Sequence, residues 1–166
     1  VFITNGGSEG LLFAFFATMD EGDELLVPQP FYTNYNSVAK MAKIEIKPIV
    51  TLSEDGFKLP SYEEIKKLIT PKTKAFLITN ANNPTGAVYS YEELRDICTL
   101  AKEHGLYILS DEVYREFIYD DDVKHISLGT MEDVRQHVII IDSISKRYSA
   151  CGARIGILAT KNKDVQ

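Results

Sequence analysis

The sequence of 166 residues is poor in cysteine, in positive charge and in long apolar runs. Its two cysteines, Cys98 and Cys151, lack CxxC spacing, so neither a disulfide framework nor a zinc site is expected. Lysine and arginine total 18 against 24 acidic residues, a net charge of −6. That balance argues against nucleic acid, whose phosphates demand clustered cations. No segment reaches the apolar length of a membrane span, and no signal peptide is visible. The expected compartment is the cytoplasm. With no repeat, low-complexity tract or linker, one domain is expected over residues 1–166. The chain opens Val1-Phe2-Ile3-Thr4 without methionine, as though inside a strand, and reads as a fragment of a longer protein.

What is present is an alternation of strand and helix patterns. Strands are expected at Val1–Thr4, Glu24–Val27, Ile44–Val50, Ala75–Thr79, Leu106–Ser110, Val138–Asp142 and Ile155–Thr160. Helices are expected at Glu9–Met19, Asn34–Ala42, Tyr62–Ile69, Tyr91–His104 and Met131–Val134. Ser61 with Glu64, and Ser90 with Glu93, read as capping boxes, and Gly105 as a left-handed helix end. Phe76-Leu77-Ile78 and Val138-Ile139-Ile140-Ile141 are apolar on both faces, so they belong to a sheet covered on both sides. The pattern implies an α/β fold with a mostly parallel sheet. Ligands of such sheets bind beyond the carboxyl ends of the strands.

The segments after the strands are therefore the candidates. Asn5-Gly6-Gly7-Ser8-Glu9-Gly10 leads into a helix whose free N–H groups and dipole suit phosphate. An ordinary strand–helix turn fits it as well. So does the G-x-S-x-G elbow of a serine esterase, with Ser8 as nucleophile and Asp111 and His125 or His137 as partners. Phe31 and Tyr32 follow two prolines, either as core aromatics or as rings that stack on a flat cofactor. Asn83 precedes Pro84, which restricts its backbone toward extended values. Asp111 ends an apolar strand, where a carboxylate wants a cation or an N–H donor; a helix cap or ion pair is the plain alternative. Lys146 sits after the sixth strand among small residues, and Arg154 carries a planar fork suited to phosphate. His104 complements a helix end, and Asp120-Asp121-Asp122 reads as a solvated turn with no metal expected.

Taken together, these segments resemble the fold-type-I enzymes that use pyridoxal 5′-phosphate (PLP), specifically the class I/II aminotransferases. Asn83-Pro84-Thr85-Gly86 is similar to the family's NPTG motif and Asp111-Glu112-Val113-Tyr114 to its D-x-x-Y. Ser143-Ile144-Ser145-Lys146, with Gly152, Arg154 and Gly156, is similar to its S-x-S-K-x(5)-G-x-R-x-G signature. The esterase reading accounts for none of the three. The resemblance implies a three-layer α/β/α large domain with a seven-stranded, mostly parallel sheet whose last strand runs antiparallel. It implies a Schiff base at Lys146, Asp111 against the pyridine nitrogen, and Asn83 and Tyr114 on the 3′ oxygen. Tyr32 stacks on the ring, while Gly7, Ser8, Ser143, Ser145 and Arg154 hold the phosphate. It implies transfer of an amino group between an amino acid and a 2-oxo acid by a homodimer, although a lyase or decarboxylase uses the same lysine, aspartate and arginine. The family's N-terminal arm and C-terminal small domain match no segment here.

The chemistry explains these residue types. PLP is an electron sink, and a carboxylate beside its ring nitrogen keeps that nitrogen protonated. The lysine also relays a proton, and its ordinary pKa of about 10.4 is too high for a neutral base. Burial and the Arg154 charge are expected to lower it.

Overall fold

A computed structural model describes residues 1–166. Seven strands form one sheet: β1 (Phe2–Thr4), β2 (Glu24–Gln29), β3 (Glu45–Val50), β4 (Thr73–Thr79), β5 (Tyr107–Asp111), β6 (Val138–Ser143) and β7 (Gly156–Thr160). Their spatial order is β1-β7-β6-β5-β4-β2-β3. β7 runs antiparallel to both its neighbours, and the other pairings are parallel. Five helices connect them: α1 (Gly7–Thr18), α2 (Asn34–Ala42), α3 (Tyr62–Lys66), α4 (Tyr91–His104) and α5 (Ile144–Arg147).

Strand alternation builds the three layers. On β4, Ala75 and Leu77 pack with Leu11, Phe15 and Val38 of α1 and α2. Phe76 and Ile78 turn the other way, onto Leu94, Ile97 and Leu100 of α4. Both faces are therefore covered, which is why these strands are apolar throughout. Both expected capping boxes form, at Ser61 with Glu64 and at Ser90 with Glu93. Gly105 ends α4 at φ 65, a conformation that costs glycine nothing.

The differences are local. The helix expected over Tyr62–Ile69 stops at Lys66. Met131–Val134 is a 3-10 turn over Glu132–Val134 instead of an α-helix. The stretch carrying Lys146, for which no helix was expected, is the single turn α5. No helix is long and apolar enough to cross a membrane.

Candidate active site

The carboxyl ends of β4, β5 and β6 and the start of α1 open onto one cleft. It is lined by all ten site residues that the family resemblance implies: Gly7, Ser8, Tyr32, Asn83, Asp111, Tyr114, Ser143, Ser145, Lys146 and Arg154. Leu11, Asn34, Tyr35, Thr79, Val113 and Cys151 complete the lining.

Its floor is built from buried and half-buried polar groups. Tyr35 is buried on α2, and its Oη donates to Asp111 Oδ2 at 2.6 Å. The same oxygen lies 2.7 Å from Thr79 Oγ1. With its one proton committed to Asp111, Tyr35 accepts from Thr79. The Val113 N–H donates to Asp111 Oδ1 at 3.2 Å. Burial pushes the Asp111 carboxyl above its ordinary value, a rise restrained by the bonds from Tyr35 and Val113. Burial, then the Asp111 charge, raises Tyr35 well above the ordinary phenol, so it remains a donor.

One end of the cleft is equipped for an anion. Gly7 and Ser8 form the first turn of α1, where unpaired N–H groups and the helix dipole favour negative charge. Ser143 caps α5, its Oγ accepting from the Ser145 N–H at 2.9 Å, which leaves the hydroxyl proton to donate elsewhere. Arg154, at φ 54, donates to the carbonyls of Cys151 and Asn5. The guanidinium lies where a side chain on Gly6 would stand: a Cβ there would come 2.1 Å from Arg154 Nη2. Gly156 makes the neighbouring crossing possible, since its Cβ would come 2.4 Å from the Gly6 carbonyl carbon. That obstacle is backbone and cannot rotate away. Gly156→Ala is accordingly expected to destabilise the fold by about 2 kcal/mol or more, on the scale of overpacked cores. Thermal melts check it; an unchanged midpoint would show that the β7–α1 crossing yields.

At the mouth, Lys146 is exposed. Its Nζ lies 5.8 Å from the centre of the Tyr114 ring. The burial expected for this lysine is thus corrected: nothing in the chain roofs α5. Tyr32 is also exposed and meets Tyr35 edge-on, ring centres 5.6 Å apart. Asn83 precedes a cis proline bond. Its neighbours make the turn instead, with Asn82 Oδ1 accepting from the Thr85 N–H and hydroxyl and Asn80 Oδ1 from the Tyr89 N–H. Asn83 is left facing the cleft.

The esterase alternative finds no base. Ser8 Oγ accepts from Asn34 Nδ2 at 3.3 Å. His125 meets Glu112, and His137 meets the Leu106 carbonyl. Sequence reasoning missed Tyr35 and Thr79. The signal available was spacing: on α2, Tyr35 lies one turn beyond Tyr32.

The arrangement offers an amine, a half-buried carboxylate and an anion cradle around one space. Comparisons with known proteins agree with it. The family model for class I and II aminotransferases matches residues 1–166. An aspartate/prephenate aminotransferase of Thermus thermophilus is 36% identical over 154 residues, 93% of this chain and 39% of the relative. An aromatic-amino-acid aminotransferase of Thermococcus litoralis is 36% identical over 159 residues, 96% of this chain and 40% of the relative. The solved structure of a tetra mutant of the T. thermophilus aspartate aminotransferase matches with a TM-score of 0.90 at 35% identity. It covers 98% of this chain and 44% of that one. The chain spans about two fifths of the length of the curated relatives it matches.

Proposed function

The chain belongs to the class I and II aminotransferase family, and from that we propose that it is the PLP-binding large domain of an enzyme moving an amino group between an amino acid and a 2-oxo acid. The observation that carries this is the convergence of Asn83, Asp111, and Lys146 with Arg154 on one cleft from three separate motifs. The relatives' names divide between aspartate/prephenate and aromatic amino acids, so the proposal stops at the substrate class.

The donor set fits PLP. A phosphate dianion suits the α1 start, the Ser143 and Ser145 hydroxyls and the Arg154 guanidinium, and Gly6, having no Cβ, keeps the space that Arg154 fills. A pyridine N–H suits Asp111, whose charged form its surroundings otherwise disfavour. When bound, the cofactor supplies an aldehyde carbon for amines and a ring that accepts electron density from the substrate Cα.

The chain's own residues do the rest. Arg154, Ser143, Ser145 and the Gly7–Ser8 turn bind and anchor one end, fixing the reacting atoms relative to Lys146. Asp111, held by Tyr35 and Val113, keeps a proton on the ring nitrogen through its negative charge. Asn83 and Tyr114 would donate to the 3′ oxygen, and the Tyr32 ring would lie against the cofactor. Lys146 Nζ would be the base that moves a proton from the substrate Cα to the neighbouring atom. Exposed Phe13 and Phe16 on α1 leave apolar surface that supports the homodimer implied by the family resemblance. A cytoplasmic location is part of the same proposal.

The test is an absorbance spectrum with PLP before and after borohydride, followed by peptide mapping. A reduced adduct on Lys146 is expected. An adduct on another lysine, or none, overturns the assignment.

A further inference from the structure

We propose that the buried carboxylate of Asp142, acting through Arg147 and Arg115, positions the Lys146 turn against the Asp111–Tyr114 segment. The inference rests on the cofactor reading above and concerns residues outside the cleft lining.

Asp142 is 4% exposed, near the end of β6. Its neighbours Ile141 and Ser143 face α1, within 3.7 Å of a Cβ placed on Gly7. Strand alternation therefore turns Asp142 to the opposite face of the sheet. There, one oxygen accepts from the Ser143 N–H at 2.7 Å. The other accepts from Arg147 Nη2 at 2.8 Å and lies 3.5 Å from Arg115 Nη2. Glu116 Oε1 stands 3.5 Å from Arg147 Nε and 3.6 Å from Arg115 Nε. Two acids and two guanidiniums thus balance in a partly buried cluster.

Chain position gives the cluster its consequence. Arg147 directly follows Lys146, Arg115 directly follows Tyr114, and Asp142 directly precedes Ser143. One carboxylate therefore ties together the three segments that carry the amine, the ring-facing phenol and a phosphate-facing hydroxyl. α5 is a single turn of four residues. A helix that short does not hold its own conformation, because nucleation costs more than one turn returns. Its tethers are the Ser143 cap and the Ile144 N–H on the Ile155 carbonyl at its start, and the Arg147–Asp142 bond at its end. Arg147 Nε makes no hydrogen bond, with Glu116 standing 3.5 Å away, so the 2.8 Å bond to Asp142 is the hydrogen bond that orients the guanidinium. Release of Arg147 lets the turn, and Lys146 with it, drift from the reacting position.

The experiment separates holding the cofactor from capturing it. Arg147→Met, Arg147→Lys and Asp142→Asn are made in the protein expressed at full length. Non-covalent affinity is read by dialysis with deoxypyridoxine 5′-phosphate, which lacks the aldehyde. Capture condenses the Lys146 amine with the PLP aldehyde, releasing one water. Its rate is read as borohydride-fixed label on the Lys146 peptide. Arg147→Met and Asp142→Asn are expected to slow capture about a hundredfold, the scale of a misplacement near 1 Å, with affinity for the deoxy probe essentially unchanged. Arg147→Lys, which keeps a cation for Asp142, is expected to recover much of the rate. Should Arg147→Met fail to fold, Asp142→Asn decides, because it is isosteric and still accepts from Ser143. Capture at the wild-type rate in a folded variant overturns the inference, as does equal loss of affinity and capture. A wild-type protein that fixes no label on Lys146 overturns the cofactor assignment itself.

Discussion

Lys146→Ala is expected to abolish the visible absorbance of the protein–cofactor adduct and to slow amino transfer by roughly five orders of magnitude, the scale on which loss of a covalent catalytic group acts. Lys146 is the one lysine lining the cleft. Arg154 cannot replace it, because a guanidinium stays protonated and is no nucleophile. The fold should be indifferent to the change. Lys146 is exposed, and its contact with the Tyr114 ring at 5.8 Å is worth about 0.5–1 kcal/mol at such a site. Thermal melts should therefore coincide closely, and the phosphate cradle should still hold PLP reversibly. Lys146→Arg keeps the charge and should be as inactive as the alanine variant. An adduct spectrum that survives in either variant would remove Lys146 from its proposed role.

The strands were legible because each is an apolar run bounded by turn residues, and burial on both faces demands that composition. The antiparallel direction of β7 was not legible from periodicity, since alternation carries no sign of direction; the family resemblance supplied it. The cleft's mouth was legible for a related reason. Glycines, serines and lone charges at strand ends have little structural justification there, so Gly7, Ser143, Lys146 and Arg154 stood out. Its floor was not. Tyr35 sits on an amphipathic helix where an aromatic residue serves the core equally well, and its hydroxyl bond to Asp111 spans 76 positions in the chain. Asp142 and Arg147 were hidden likewise, as charges in a polar stretch whose pairing depends on which face of β6 each residue takes. The exposure of Lys146 reverses the burial expected for it, because small neighbours mark open space without saying what fills it.

Asp111→Asn is expected to cut amino transfer by roughly three orders of magnitude, the size of losing one preorganised electrostatic partner, while leaving PLP uptake partly intact. The amide keeps the shape: its Oδ1 can accept from the Val113 N–H while its NH2 donates to Tyr35 Oη, whose own proton turns to Thr79, so the charge is the main thing removed. Without that charge the ring nitrogen loses its proton at neutral pH and accepts electron density poorly. The same charge should cost the cofactor-free protein stability. Burial raises the Asp111 carboxyl above its ordinary 3.8 in the fold. Its stabilising contribution is therefore complete below 3.8 and is lost as pH climbs through the raised value. As pH rises, the cofactor-free wild type must ionise a half-buried carboxylate with no cation beside it. Asp111→Asn should accordingly melt above wild type at neutral pH, and the gap should close as pH falls toward the ordinary carboxylate value. Added PLP should reverse the ranking, because a ring N–H gives the wild-type charge its partner and gives the amide none. A variant that keeps near-wild-type turnover, or that melts below wild type at pH 7 without PLP, would mean that the Asp111 charge is neutralised by something other than the cofactor.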